Sequence, residues 1–202
     1  MSKLFNFIRS LSNDSEGSNL NAQEYFDRGQ TNLFRHDYKG AIDYYTKAIE
    51  VNPRFTNAYY CRGNVKCALK DFRGGIADYT SAIELDSTDE STYYVRAIAR
   101  SSLNDYLGVV EDLSKAIDLE PNDATFYQLR GHAKMQTEDF NGARQDFSKA
   151  LALDPDDTMS YYNRGIAQLY TGFESGAYSD LKRAGELGYS QAYYVIKEAG
   201  LS

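Results

Sequence analysis

Residues 124–157 read ATFYQLRGHAKMQTEDFNGARQDFSKALALDPDD, and this stretch of thirty-four sets the frame for the whole 202-residue chain. Tyr127, Gly131, Phe140, Ala143, Phe147, Ala150, Leu153 and Pro155 stripe two amphipathic helices, with Glu138 and Asp139 at the turn between them. Moving the window by one period returns the same residue types. Counting from Ala22, the fourth place is Tyr25, Tyr59, Tyr93, Tyr127 and Tyr161; the eighth is Gly29, Gly63, Ala97, Gly131 and Gly165; the twenty-seventh is Ala48, Ala82, Ala116, Ala150 and Ala184. Proline fixes the same frame independently. Pro53, Pro121 and Pro155, the three prolines of the chain, all fall between repeats, where a helix boundary tolerates the missing N–H that a helix interior does not.

A thirty-four-residue period with aromatic, Gly, aromatic, Ala, aromatic, Ala and Pro in this order closely resembles the tetratricopeptide repeat family. The resemblance runs from Ala22 to about Gln191. It implies an all-α, right-handed superhelical solenoid of five helix-turn-helix repeats over 22–55, 56–89, 90–123, 124–157 and 158–191. A last helix within 190–202, with Ser190 as N-cap and Gly200 as its stop, is expected to cover the final apolar face. Asn21 and Glu24 have the spacing of a capping box at the first helix.

Four glycines inside first helices each cost roughly 1 kcal/mol against alanine, which close approach of the facing helix would offset. The seventh place is arginine in every repeat: Arg28, Arg62, Arg96, Arg130 and Arg164. Such a row could bind anions, or it could pair with Asp78, Asp112, Asp146 and Asp180, which share the twenty-third place. Because the acidic row repeats in step with the basic one, the pairing is favoured.

The resemblance also implies where a ligand would lie, since in tetratricopeptide proteins the first helices line a concave groove through the second, fifth, sixth, ninth, twelfth and thirteenth places. On this chain the fifth, sixth and ninth places are Phe26, Asp27, Gln30, Tyr60, Cys61, Asn64, Tyr94, Val95, Ile98, Gln128, Leu129, His132, Tyr162, Asn163 and Ile166. Asp27 is the only charge among them. The Lys/Asn/Arg constellation with which family members hold acidic chaperone tails is absent at Phe26, Gln30, Cys61, Ser91 and Val95, which argues against that ligand. An apolar, amide-lined groove suits a protein or peptide segment with hydrophobic anchors.

Composition bounds the rest. A net charge of −7 repels phosphate backbones and argues against nucleic-acid binding. Cys61 and Cys67, six residues apart on one helix, are separated by about 9 Å along its axis, beyond the reach of a disulfide. Free thiols point to a reducing, cytoplasmic setting. Neither His36 nor His132 has partners at catalytic or metal-ligating spacing, and Asp154, Asp156 and Asp157 lack the pattern of a calcium loop. The sequence therefore reads as a non-enzymatic scaffold with no cofactor and no metal.

The first eleven residues, MSKLFNFIRSL, are too short for a signal peptide and no stretch is long enough to span a membrane. Leu4, Phe5, Phe7, Ile8 and Leu11 share one side of a helical projection, predicting a short amphipathic helix over 1–11, followed by a polar linker over 12–21. Two uses are open for it. It could anchor a membrane-peripheral assembly factor at the lipid interface, or it could dock through residues 4–11 in the groove of the same chain or of a second copy.

Overall fold

The computed structural model describes residues 20–201, and the amphipathic helix expected over 1–11 and most of the linker lie outside them. Eleven α-helices and no strand occur among the described residues. Five antiparallel pairs follow one another: α1 (Ala22–Phe34) with α2 (Tyr38–Val51), α3 (Thr56–Ala68) with α4 (Phe72–Leu85), α5 (Glu90–Ser101) with α6 (Tyr106–Leu119), α7 (Ala124–Gln136) with α8 (Phe140–Leu153), and α9 (Thr158–Tyr170) with α10 (Glu174–Glu186). A single helix, α11 (Gln191–Glu198), closes the array. Each helix packs on the next, and α3 also touches α5 as α7 touches α9, whereas no pair of second helices comes into comparable contact. The first helices thus form the inner, concave side of a solenoid and the second helices the outer side.

The turn inside each repeat is built by one aspartate with two duties. Asp37, Asp71, Asp105 and Asp139 donate a backbone N–H to the carbonyl five residues earlier (Asn32, Lys66, Arg100 and Lys134, 2.9–3.0 Å), closing the first helix in a Schellman pattern. Their carboxylates then accept the backbone N–H of Gly40, Gly74, Gly108 and Gly142 at 2.9–3.1 Å, capping the second helix. The residue just before each aspartate must turn left-handed. His36, Lys70, Asn104 and Glu138 do so with φ of 59–65°, and Gly172 takes the place in the last repeat. There Phe173 stands where aspartate stands elsewhere, and α10 has no side-chain cap.

The core is distributed along the array rather than gathered at a centre. Ala48, Ala82, Ala116, Ala150 and Ala184 are 0–1% exposed, and beside them Tyr45, Tyr79, Leu113, Phe147 and Leu181 fill one volume per repeat. Full burial of each large side chain contributes about 1.5–3 kcal/mol. A methyl group at Gly29 would come within 2.5 Å of the Tyr45 ring, and one at Gly63 within 2.7 Å of Tyr79. The first helix approaches the second over the missing side chain, which is what offsets the helical cost of glycine.

Both ends of the array are finished differently from its middle. Ala58, Thr92, Phe126 and Ser160, at the third place, are buried; repeat one has exposed Glu24 there. Val65, Ala99, Ala133 and Ala167, at the tenth place, are likewise buried, and repeat one has Thr31, whose hydroxyl donates to Asp27 O. A polar outer face suits a terminal repeat. Asn21 and Glu24 form the reciprocal capping box at α1. At the other end Ala192 is fully buried and packs with Leu181, Ala184, Tyr189, Val195 and Ile196. Gly200 stops that helix with φ 64°, but the N-cap expected of Ser190 is corrected: its backbone is itself helical and its side chain makes no capping bond.

Candidate functional site: the concave face

Four arginines of the row, Arg62, Arg96, Arg130 and Arg164, hold neighbouring repeats together. Arg62 donates from Nε and Nη2 to both oxygens of Asp78 (2.9 and 2.7 Å) and from Nη1 to Thr46 Oγ1 of the preceding repeat (3.0 Å). Arg96 repeats this with Asp112 and Thr80, Arg130 with Asp146 and Ser114, and Arg164 with Asp180 and Ser148. The hydroxyls accept from arginine and donate to the carbonyl four residues back in their own helix, so both of their hydrogen-bonding roles are filled. Each guanidinium also lies 5.7–5.8 Å from the centroid of the fourth-place tyrosine of its repeat. Lys66, Arg100 and Lys134 add a second cation to Asp78, Asp112 and Asp146. The row is a stitching device, not an anion site. Asp180 raises the Arg164 guanidinium above its ordinary value, against the opposing effect of burial. Sequence reasoning missed the hydroxyl partners, although Thr46, Thr80, Ser114 and Ser148 repeat at the same period.

With the arginines accounted for, the concave side is left to the fifth, sixth and ninth places. Several of these residues pack within the array as well as face the groove. Phe26 lies between the rings of Tyr45 (5.5 Å) and Phe55 (5.0 Å). Tyr94 packs on Phe126 at 5.5 Å and Tyr162 edge-on to Tyr189 at 4.8 Å. Gln128 Nε2 donates to Asp157 Oδ2 at 2.8 Å. The fifth-place row therefore runs beside the turns that join one repeat to the next. Gln30 Nε2 approaches Cys61 Sγ at 3.5 Å, and Asn64 Oδ1 accepts from Tyr79 Oη at 2.7 Å. Burial raises the Cys61 thiol above its ordinary value, with the Gln30 bond acting in the opposite direction. Tyr60, Val95, Leu129, Asn163 and Ile166 are half-buried, while His132 is exposed and Ile98 is 42% exposed. Met159, Tyr170 and Phe34, at the second and thirteenth places, are exposed at 41, 67 and 86%.

A repeating helix pair with this spacing, this interlock and this inner row decides the family, and sequence comparison agrees. A family profile described as Tetratricopeptide repeat matches residues 22–55, and one described as TPR repeat matches residues 131–172. The chain belongs to the tetratricopeptide repeat family. Among solved structures, YrrB, described as a TPR protein with an unusual peptide-binding site, superposes with a TM-score of 0.81 at 19% identity, over 95% of this chain and 97% of that one. A MamA protein gives 0.77 at 22% identity, over 86% and 94%. MamA from Desulfovibrio magneticus RS-1 gives 0.74 at 20%, over 84% and 96%. At these identities the likeness establishes the fold. No curated protein sequence matches.

Other tetratricopeptide surfaces of the chain offer less. A depression of about 680 Å³ is lined by Tyr127, Arg130, Arg144, Asp146, Lys149 and Gln168, together with Gln145, Ser148 and Ala152, and shares no residue with the groove. Of its four ionic groups, Arg130 and Asp146 pair with one another in the ladder, and the Arg144 guanidinium lies over the Phe173 ring at 4.1 Å. Among the described residues no group of three His, Cys, Asp or Glu side chains could hold a metal ion, and no helix is long and apolar enough to cross a membrane.

Proposed function

We propose that the chain is a protein-interaction scaffold whose concave face binds an extended or helical segment of a partner protein through apolar anchors, and that it acts by binding and not by catalysis. One observation carries this reading. In a chain with 51 charged side chains of four types (22 Lys and Arg, 29 Asp and Glu), the fifteen inner-row positions hold a single charge, Asp27. Among them Ile98, and at the second and thirteenth places Met159, Tyr170 and Phe34, are large apolar or aromatic side chains exposed to solvent. Exposed apolar side chains aligned along one face mark an interaction surface. Asn64, through the amide nitrogen that its bond from Tyr79 leaves over, and Asn163 would bond the backbone of an occupant, and Tyr60, Tyr94 and Tyr162 would offer broad, stiff contact area at low conformational cost. YrrB, whose described feature is a peptide-binding site, supports the same use of the fold.

Selection from a displayed peptide library against the full chain tests it. The expected result is enrichment of peptides with large apolar residues at helical or alternate spacing, and loss of at least tenfold in affinity on Ile98→Glu or Ile166→Glu with unchanged helicity. Enriched peptides that bind both variants as tightly as the unmodified chain would contradict the groove reading.

A further inference from the structure

Repeat four meets repeat five through a contact unlike those between the earlier repeats. The twenty-first place holds Ile42, Ile76 and Val110 in the first three repeats and Arg144 in the fourth, while the sixteenth holds a capping aspartate in the first four and Phe173 in the fifth. The two departures touch. The Arg144 guanidinium lies over the Phe173 ring at 4.1 Å, and one turn away on α8 Phe140 stacks on Tyr170 with centroids 4.3 Å apart and planes 6° from parallel. Phe173 leaves α10 without a side-chain cap, and both it and Tyr170 stay exposed. An aromatic shelf thus stands where the other repeats fold with a cap and an aliphatic side chain.

Arg144 also lines the depression of about 680 Å³ on the outer side, together with Lys149. Arg130 and Asp146 there are ladder partners, but among the described residues neither Arg144 nor Lys149 has a carboxylate within ion-pair distance. A guanidinium held by a ring keeps its N–H donors for another partner. Two unpaired cations lining one depression, in a chain of net charge −7, are complementary to an anionic occupant. Its length is bounded. Phe140 and Lys149 are about 13.5 Å apart along α8, a distance that an extended segment covers in about four residues. Carboxylates bracket the stretch, Glu138 and Asp139 before Phe140 and Asp154, Asp156 and Asp157 after Leu153, and they repel a longer acidic run.

We propose that this outer face, from Tyr170 to Lys149, is a second binding site, separate from the groove, for a short acidic segment of a partner protein. An aromatic residue of the segment packs on the exposed Tyr170, and carboxylates within about four residues of it bond Arg144 and Lys149. Phe173 acts by positioning Arg144. The scaffold would then hold two segments on opposite sides, an apolar one inside and an acidic one outside.

The probe is a fluorescein-labelled peptide, Gly-Ser-Tyr-Ser-Glu-Ser-Glu-Ser-Gly, read by anisotropy against the full chain, with a second peptide carrying Gln for both Glu as its neutral counterpart. The acidic probe should bind roughly tenfold more tightly than the neutral one and weaken several-fold as salt rises past the range where exposed charges are screened. Lys149→Gln, which alters an exposed side chain, should weaken it about tenfold, as should Tyr170→Ser with unchanged helicity. Lys115→Gln, the same place in repeat three, and Ile98→Gln in the groove should leave it unaltered. Equal affinity for the two probes, no binding of the acidic probe, or indifference to Lys149→Gln would overturn the proposal. An equal loss on Lys115→Gln would show attraction to charge in general, and a loss on Ile98→Gln alone would place the probe in the groove; either result overturns the outer site. Displacement of the probe by inorganic phosphate as readily as by unlabelled peptide would reduce it to a bare anion site and overturn peptide recognition. Every one of these failures except a loss on Ile98→Gln leaves the groove reading untouched, and that one supports it.

Discussion

Arg164 and Asp180 meet through two hydrogen bonds, Nε to Oδ2 at 2.6 Å and Nη2 to Oδ1 at 2.8 Å, and unlike the equivalent aspartates of repeats two to four Asp180 has Gln168, not lysine or arginine, one turn beyond its arginine. Both side chains are largely buried, at 21 and 8% exposed. Removing one member of a buried pair strands the other, and the desolvated partner sets the cost.

Arg130→Ala should therefore destabilise by about 1–3 kcal/mol, since Lys134 at 2.8 Å continues to neutralise Asp146. Arg164→Ala has no such reserve and should cost more within its own repeat. Urea unfolding, combined with hydrogen exchange resolved to α9 and α10, measures both. Equal or smaller local destabilisation for Arg164→Ala would show that the second cation is immaterial.

The turn residues give a prediction of opposite sign. Glu138 holds φ 61°, a conformation that costs a residue with a β-carbon roughly 1–2 kcal/mol, while its counterpart in the last repeat is Gly172 at φ 77°. Glu138→Gly should raise stability by up to about 1 kcal/mol after the extra chain entropy of glycine is deducted, and Gly172→Glu should lower it by about 1–2 kcal/mol. A thermal-melt pair that moves in the same direction for both substitutions would contradict this account of the turn.

Alkali should act through the buried phenols. Burial holds Tyr45 and Tyr79 above the ordinary tyrosine value, with Cys61 adding to the effect on Tyr45 and Cys67 to that on Tyr79. The unfolded chain releases these protons first, so their contribution is complete below about pH 10 and is lost as pH rises beyond it. Urea melts from pH 8 to 11 should show stability falling above pH 10. Tyr79→Phe, which also gives up the bond to Asn64, should be less stable at pH 8 but show a shallower decline.

The repeat frame and the Arg–Asp pairing were legible because both depend on residue types that recur every thirty-four positions, and recurrence in step is itself evidence of contact. Thr46, Thr80, Ser114 and Ser148 recur in the same way yet went unread, since a small hydroxyl on a helix has many local uses and only the geometry shows an arginine from the next repeat reaching it. The left-handed turn left no trace at all: His36, Lys70, Asn104 and Glu138 share a conformation and no chemistry, because the Asp that follows each one fixes the turn. Of the inner row, the sequence named the residues but not their double duty. Phe26, Tyr94 and Tyr162 are partly committed to neighbouring rings and Ile166 to the core around Leu181 and Ala184, which leaves Ile98 and His132 as the more available contacts.

Binding along the inner side of the first helices is read out by methyl-resolved NMR of the full chain titrated with a selected apolar peptide. The methyl signals of Val95, Ile98, Leu129 and Ile166 should shift in proportion to occupancy while those of Val110, Ile117 and Leu153 on the second helices stay in place. Shifts confined to the second helices, beside Arg144 and Lys149, would contradict it.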